Sequence, residues 1–351
     1  MRIGLIGRAE NTGLGIQTWE FARHMHPAKT LVVDLTAGTT RRLYPERFPG
    51  AKIIQGIPDR RHLEEFVDGL DVVFTAETPY NYDLFTVARA AGVKTVLQYN
   101  FEFLDYLARR DLPRPDLLAA PSPWRYDEVT ATMPGQRTML LPVPVADRVR
   151  PPTHYSSRAI DFLHIVGRPA IHDRNGTADL IEALQYVRSE ISVTIRCQDP
   201  KYVPRLMAGR RLPDHVHVDL EHDDIDYYWQ PYHANDVLVL PRRFGGLCLP
   251  AQEALASGLP VVMPDISPNN LLLQPDWLVP ARRTGSFRAR TDIDLHTVDH
   301  QALAATIDRF ASDPAFFRQA QSIARATAEQ LSWNALKPTY LDTFWRLHNG
   351  A

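Results

Sequence analysis

The stretch from Pro241 to Val262 holds the residue types best suited to a phosphorylated ligand. Gly245 and Gly246 follow an apolar run at 236–240 and lead into an alanine-rich helix that Gly258 ends. Glycines remove the side chains that keep a backbone away from a phosphate, and a helix N-terminus favours anions. Glu253, on the first turns of that helix, is placed to accept hydrogen bonds from the vicinal hydroxyls of a ribose. An ordinary strand, loop and helix with a surface glutamate would show the same local pattern.

A second glycine loop, from Gly7 to Ile16, ends in Gly13-Leu14-Gly15 at the start of a helical pattern. It lacks the third glycine of a dinucleotide fingerprint, because Thr18 stands there, although Asp34 lies where a ribose carboxylate belongs. Arg196 ends another strand-like run, from which it can approach a base or a ribose. The acidic run at 219–224 suits a solvated loop. His215, His217 and His222 lack zinc spacing, and Cys197 and Cys248 are far apart, so no metal is expected.

These residues need elements to position them. Strand-like runs at 3–6, 30–34, 52–54, 71–75, 95–98, 117–120 and 139–141 alternate with helical patterns such as 13–24, 61–67, 82–91 and 124–131. Alternation with nearly continuous apolar strands indicates a parallel sheet covered on both faces. Pro142, Pro144, Pro151 and Pro152 interrupt it and read as a stiff linker. The alternation restarts with strands at 160–166, 192–196, 216–219, 236–240 and 260–263, and with helices from 177 to about 188 and near 250–257. Beyond about 301 only helical patterns remain. In the last of them Trp333, Leu336, Tyr340 and Phe344 recur at helical spacing, as core residues do.

Bulk composition agrees. A chain of 351 residues suits two domains of about 150 residues each. With 44% hydrophobic and 23% charged residues and a net charge of −2, it reads as a soluble cytoplasmic protein. No apolar run approaches the length of a membrane span, so no integral membrane contact is expected. The near-neutral total disfavours a polyanionic partner, while the Arg-rich stretches 41–42, 109–110 and 282–290 partly restore that option.

The chain resembles the retaining GT-B glycosyltransferases of the group 1 type. Their shared segment, Glu-Gly-Phe-Gly-Leu-Pro, two residues, Glu-Ala and then Gly-x-Pro-Val-Val, is met by Gly246-Leu247-Cys248-Leu249-Pro250, Glu253-Ala254 and Gly258-Leu259-Pro260-Val261-Val262. The family's first glutamate falls on Gly245 and is absent. The resemblance implies an α/β fold of two Rossmann-like domains facing each other across a cleft. It implies domains at 1–145 on the acceptor side and 146–328 for the nucleotide sugar, with a terminal helix at 329–351 packed on the first. Glu253 becomes the ribose carboxylate, with Gly245, Gly246 and Leu247 beside the donor. Gly167-Arg168 matches the family's strand-end Gly-Arg, whose arginine grips the diphosphate. The partner lysine is missing, and Arg174 is the nearest cationic substitute. Gly13 and Gly15 fall near the donor phosphates and the acceptor. Asn100 and Glu102 follow a strand where relatives carry a sugar-contacting loop, and Glu77 also follows a strand. The implied activity moves a sugar from a nucleoside-diphosphate sugar, UDP- or GDP-linked, to a hydroxyl with retention, without a metal or covalent cofactor. A sugar-nucleotide epimerase or a non-catalytic sugar-nucleotide or glycan binder on the same scaffold are the alternatives. The acceptor (glycan, lipid, protein or modified nucleic-acid base) and the oligomeric state stay open.

Overall fold

The computed structural model describes residues 1–39, 41–145, 159–223 and 225–350. The apolar runs of the N-terminal half become β1 (Ile3–Gly7), β2 (Lys29–Asp34), β3 (Lys52–Gln55), β4 (Val72–Glu77), β5 (Lys94–Tyr99), β6 (Leu117–Ala120) and β7 (Thr138–Leu140). They pair in parallel in the order β3-β2-β1-β4-β5-β6-β7. β1 and β6 are buried along their whole length, as a sheet covered on both faces requires. The strand order turns between β1 and β4, and an open α/β sheet forms its ligand crevice beyond the carboxyl ends at such a switch.

The last helix, Trp333–Asn349, belongs to this first unit, which comprises Met1–Pro144, Ala289–Thr291 and the chain from Trp333 onward. Its Trp333, Tyr340 and Phe344 are buried around Phe21 and Phe74, which stack at 4.2 Å. Each such burial contributes roughly 1.5–3 kcal/mol. The Tyr340 hydroxyl donates to the Pro142 carbonyl at 2.9 Å, which satisfies its polar end.

The second unit, Val145–Arg288 and Asp292–Ser332, repeats the plan. Its strands are β8 (Asp161–Gly167), β9 (Ile191–Cys197), β10 (Val216–Glu221), β11 (Val237–Val239), β12 (Val261–Pro264) and β13 (Leu278–Val279). They pair in parallel in the order β10-β9-β8-β11-β12-β13, so the switch lies between β8 and β11. His164 in β8 is fully buried there. Its Nδ1 donates to the Val239 carbonyl at 2.8 Å, which leaves Nε2 to accept from the Thr177 hydroxyl at 3.0 Å. Burial lowers its pKa and keeps it neutral, against the opposing pull of the Val239 bond and the Asp173 carboxylate.

Three features depart from the sequence patterns. The helix expected from 177 to about 188 stops at Leu184, because the amides of Arg188 and Ser189 turn to the Asp308 carboxylate. β14 (Ala281–Arg288) and β15 (Asp292–Val298) form an antiparallel hairpin within the stretch read only as Arg-rich. Two of its arginines are matched across the strands, Arg283 to Asp294 at 2.7 Å and Arg288 to Asp292 at 3.0 Å. In the other Arg-rich stretches Arg42 meets Glu46 and Arg109 meets Asp111. Residues 146–152 of the proline-rich stretch and Asp224 of the acidic run lie outside the described residues. Among the described residues no helix is long and apolar enough to cross a membrane, and no group of three or more potential ligands could hold a metal.

Candidate functional site

At the switch of the second sheet, two loops distant in sequence are joined. β8 ends on Gly167, which adopts φ 60° after a bulge, and Arg168 follows. The loop then passes through left-handed conformations at His172, Asp173 and Gly176. A Cβ on Gly176 would lie 1.9 Å from the Pro241 carbonyl, so only glycine allows the contact. The Arg243 amide donates to the Arg174 carbonyl at 2.9 Å. The Arg174 guanidinium donates to the Gly245 carbonyl at 3.1 Å and lies over the Phe244 ring at 4.8 Å. Asp173 caps the helix Thr177–Leu184 by accepting from the amides of Thr177 and Ala178. Asn175 instead ties the loop to the carbonyls of Ile165 and Val166.

Beyond β11 the chain passes Gly245 and Gly246, the latter at φ 104°, and enters the helix Leu249–Ala256. Gly258, at φ 79°, ends that helix with its amide on the Leu255 carbonyl. Glu253 is only 9% exposed, which excludes an ordinary surface glutamate. The Tyr232 hydroxyl donates to its Oε2 at 2.6 Å. Among the described residues, three arginines at this edge hydrogen-bond only to uncharged oxygens. Arg168 donates to Gln198 at 3.3 Å, Arg242 to the Leu247 carbonyl at 3.4 Å, and Arg243 to the carbonyls of His296 and His172 at 3.2 Å. Arg242 is 5% exposed, and its Nε is buried without a hydrogen-bond partner. A cation as dehydrated as Arg242 favours an incoming anion.

The hairpin braces these loops. Phe287 packs on Phe244 at 5.2 Å and on His172 at 4.4 Å, and the His296 amide donates to the Arg243 carbonyl at 2.8 Å. Arg196 stands apart. Glu221 and the Asp223 carbonyl hold its guanidinium on the β10 side, so it is not gathered with the 241–253 residues.

The edge beyond β1 and β4 in the first unit has another character. Arg8 forms a bidentate pair with Glu10, which is 1% exposed. Burial opposes the Arg8 charge, but Glu10, with Tyr80 and Glu77, more than offsets it and raises the pKa. Gly13 opens the helix Gly13–Met25 at an exposed position. The Gly15 amide already donates to Thr12 Oγ1 at 3.2 Å, and a Cβ there would sit 1.9 Å from the Glu10 carbonyl. Loop closure therefore requires glycine at position 15. Glu77 takes φ 66° and accepts from the Asn100 amide at 3.3 Å. Glu102 lies on the turn Phe101–Phe103 that follows Asn100. The Tyr80 hydroxyl is buried without a hydrogen-bond partner, and burial raises its pKa well above the usual phenol value.

Residues 162–312 match the model of the glycosyl transferases group 1 family. The C-terminal unit carries a group 1 glycosyl transferase domain. Among curated proteins no sequence matches the chain. Sucrose-phosphate synthase from Thermosynechococcus elongatus is similar in structure with a TM-score of 0.69 at 17% identity, covering 100% of each chain. A glycosyltransferase from Rickettsia africae superposes with a TM-score of 0.73 at 13% identity over 100% of this chain and 99% of that one. Anabaena HepE, solved with UDP and glucose, gives 0.69 at 15% identity over 98% and 99%. At such identities these likenesses establish the fold, which is GT-B.

Within the glycosyl transferase domain, Arg168, Arg174, Gly245, Gly246, Leu247 and Glu253 fall on the two strand ends that the switch brings together. Sequence patterns do not single out Arg242, Tyr232 or the hairpin. Arg242 carries a signal, a charged residue three positions beyond a fully apolar strand. Tyr232 carries none, because its importance depends on where its ring is buried.

Proposed function

We propose that this chain transfers a sugar from a nucleoside-diphosphate sugar to a hydroxyl acceptor. The observation that carries the reading is that Arg168, Arg242 and Arg243, which among the described residues hydrogen-bond only uncharged oxygens, share one sheet edge with the buried Glu253. The diphosphate binds Arg168, Arg174 and the amides around Gly245 and Gly246, and Glu253 accepts from the ribose hydroxyls. As the glycosidic bond breaks, negative charge grows on the departing phosphate. Guanidinium groups fixed beforehand stabilise that charge more than the ground state, which lowers the barrier. By resemblance to the retaining transferases, the acceptor oxygen attacks from the face that the leaving group occupies. The phosphate oxygen takes the acceptor proton, so atoms and charge balance without a protein nucleophile. By sequence resemblance Asn100 and Glu102 are the candidates on the acceptor side, and Gly13 and Gly15 the candidates for the donor phosphates. HepE, which was solved with UDP and glucose, supports a uridine donor.

Incubation of the chain with radiolabelled UDP-, GDP- and ADP-sugars tests this. One donor should bind and release its nucleotide slowly to water, and an accepted sugar should keep its anomeric configuration by NMR. Failure to bind or hydrolyse any donor sinks the proposal. Tight binding without turnover on a broad acceptor panel would favour a sugar-nucleotide binder, a reading that Gly245 in place of the glutamate motivates.

A further inference from the structure

We infer that Tyr232 is the positioning residue that sets the ribose selectivity of the donor site, acting through Glu253. The inference rests on the proposal that Glu253 binds the ribose. Tyr232 lies on the short helix Gln230–His233, which precedes β11, whereas Glu253 lies on the helix that follows it. The hydroxyl-to-Oε2 distance of 2.6 Å is that of a charge-assisted hydrogen bond. Tyr232 is 1% exposed and packed within the core of the unit, so its ring cannot turn away. A glutamate held only by its own helix has three side-chain torsions and samples several rotamers. The hydroxyl selects one of them and fixes the carboxylate plane. A carboxylate has about four acceptor sites, and the Tyr232 hydroxyl is among the groups that take them at Glu253. The paired oxygens are thereby aimed in advance, as simultaneous recognition of two neighbouring hydroxyls requires.

Burial, and next the Glu253 charge, push the Tyr232 phenol well above its ordinary pKa, so it remains a donor throughout the working pH range. The bond therefore does not switch with pH. Its work is geometric, and its effect is largest for ligands that carry both the 2′- and the 3′-hydroxyl.

The test measures binding of UDP and 2′-deoxy-UDP by calorimetry, with the GDP and ADP pairs as further probes, for the intact chain and its variants. A hydrogen bond to a charged group implies that the intact chain prefers the ribonucleotide by about 10–100-fold. Tyr232→Phe should cut that preference by about 3–10-fold, with a smaller loss of 2′-deoxy-UDP affinity through the remaining 3′-hydroxyl. Glu253→Gln should reduce it further, and adding Tyr232→Phe to Glu253→Gln should change it no more. Equal weakening of both nucleotides by Tyr232→Phe, or an unchanged preference, overturns the role of Tyr232. If Tyr232→Phe does not fold, the Tyr232→Phe/Glu253→Gln pair decides against Glu253→Gln alone, because a further fall in preference shows that Tyr232 acts without Glu253. If Glu253→Gln retains the full preference, the ribose assignment itself fails. If no nucleoside diphosphate binds the intact chain, both proposals fall together.

Discussion

The two sheets share a strand order, yet the edges beyond their switch points differ in charge. At β1 and β4 the Arg8 charge is met within the unit by Glu10. At β8 and β11, Arg168, Arg242 and Arg243 hydrogen-bond, among the described residues, only to uncharged oxygens. One topology thus supports a site complete in itself and a site that an anion would complete. The switch point supplies the crevice, and the side chains at the strand ends decide what it holds.

The strongest way to break the comparison is to remove Arg8. Arg8→Ala leaves the buried Glu10 with only the longer contact to Arg41 at 3.9 Å, and loss of one partner of a buried pair costs about 3–5 kcal/mol. Urea unfolding should show that loss. A change below about 1 kcal/mol would mean that the first edge does not depend on internal pairing. The matching change in the second unit should act on chemistry instead. Arg168→Ala is expected to lower the transfer rate by about 10²–10³-fold, as removal of one fixed donor at a developing charge does. Its unfolding free energy should stay within about 0.5 kcal/mol of the parent, since the lost contact is a single bond to Gln198. Arg168→Lys should recover part of the rate. A kcat within tenfold of the parent for Arg168→Ala would remove the leaving group from this edge.

The difference between the edges is partly legible in the amino-acid sequence. The alternation of apolar runs with helical periods indicates two α/β halves, because strand and helix periods are local. The glycine, glutamate and Gly-Leu-Pro spacing between Gly245 and Val262 locates the loop, because close backbone approach constrains residue type. The hairpin 281–298 escapes such a reading because its outward face is arginine and threonine, and its apolar face shows only once Ile293, Leu295 and Val298 are buried. The joining of the loops through Gly176 and Pro241 is a long-range contact that no spacing encodes. At Gly15 backbone packing against Glu10 requires glycine, a constraint that looks in the sequence just like a demand of ligand chemistry.

Arg242 sharpens the contrast at a smaller scale. A buried guanidinium with one long bond to the Leu247 carbonyl adds little to stability. Arg242→Met, which keeps the apolar stem, should leave stability unchanged or raise it by about 1 kcal/mol. The same variant should weaken UDP binding several-fold, by calorimetry at fixed salt. A stability loss above about 2 kcal/mol would show that the charge is already answered within the fold.

The smallest expected effect concerns acid. No strand of the first sheet contains a histidine, whereas β8 carries the buried, neutral His164. Its folded pKa lies below the value of about 6.5 that the unfolded chain has. At pH 7.5 both states leave the ring neutral, and its contribution is fully present. As pH falls below about 6.5 the unfolded chain takes up a proton that the folded chain refuses, so stability drops until the folded pKa is reached. The slope from this one group is at most about 1.4 kcal/mol per pH unit. Hydrogen exchange between pH 7 and 5 should therefore show protection falling in β8 and β11 before β1 and β4. His164→Gln should flatten the fall in the second unit without altering the first. Equal acid loosening of both sheets, unchanged by His164→Gln, would assign the pH response to the carboxylates instead.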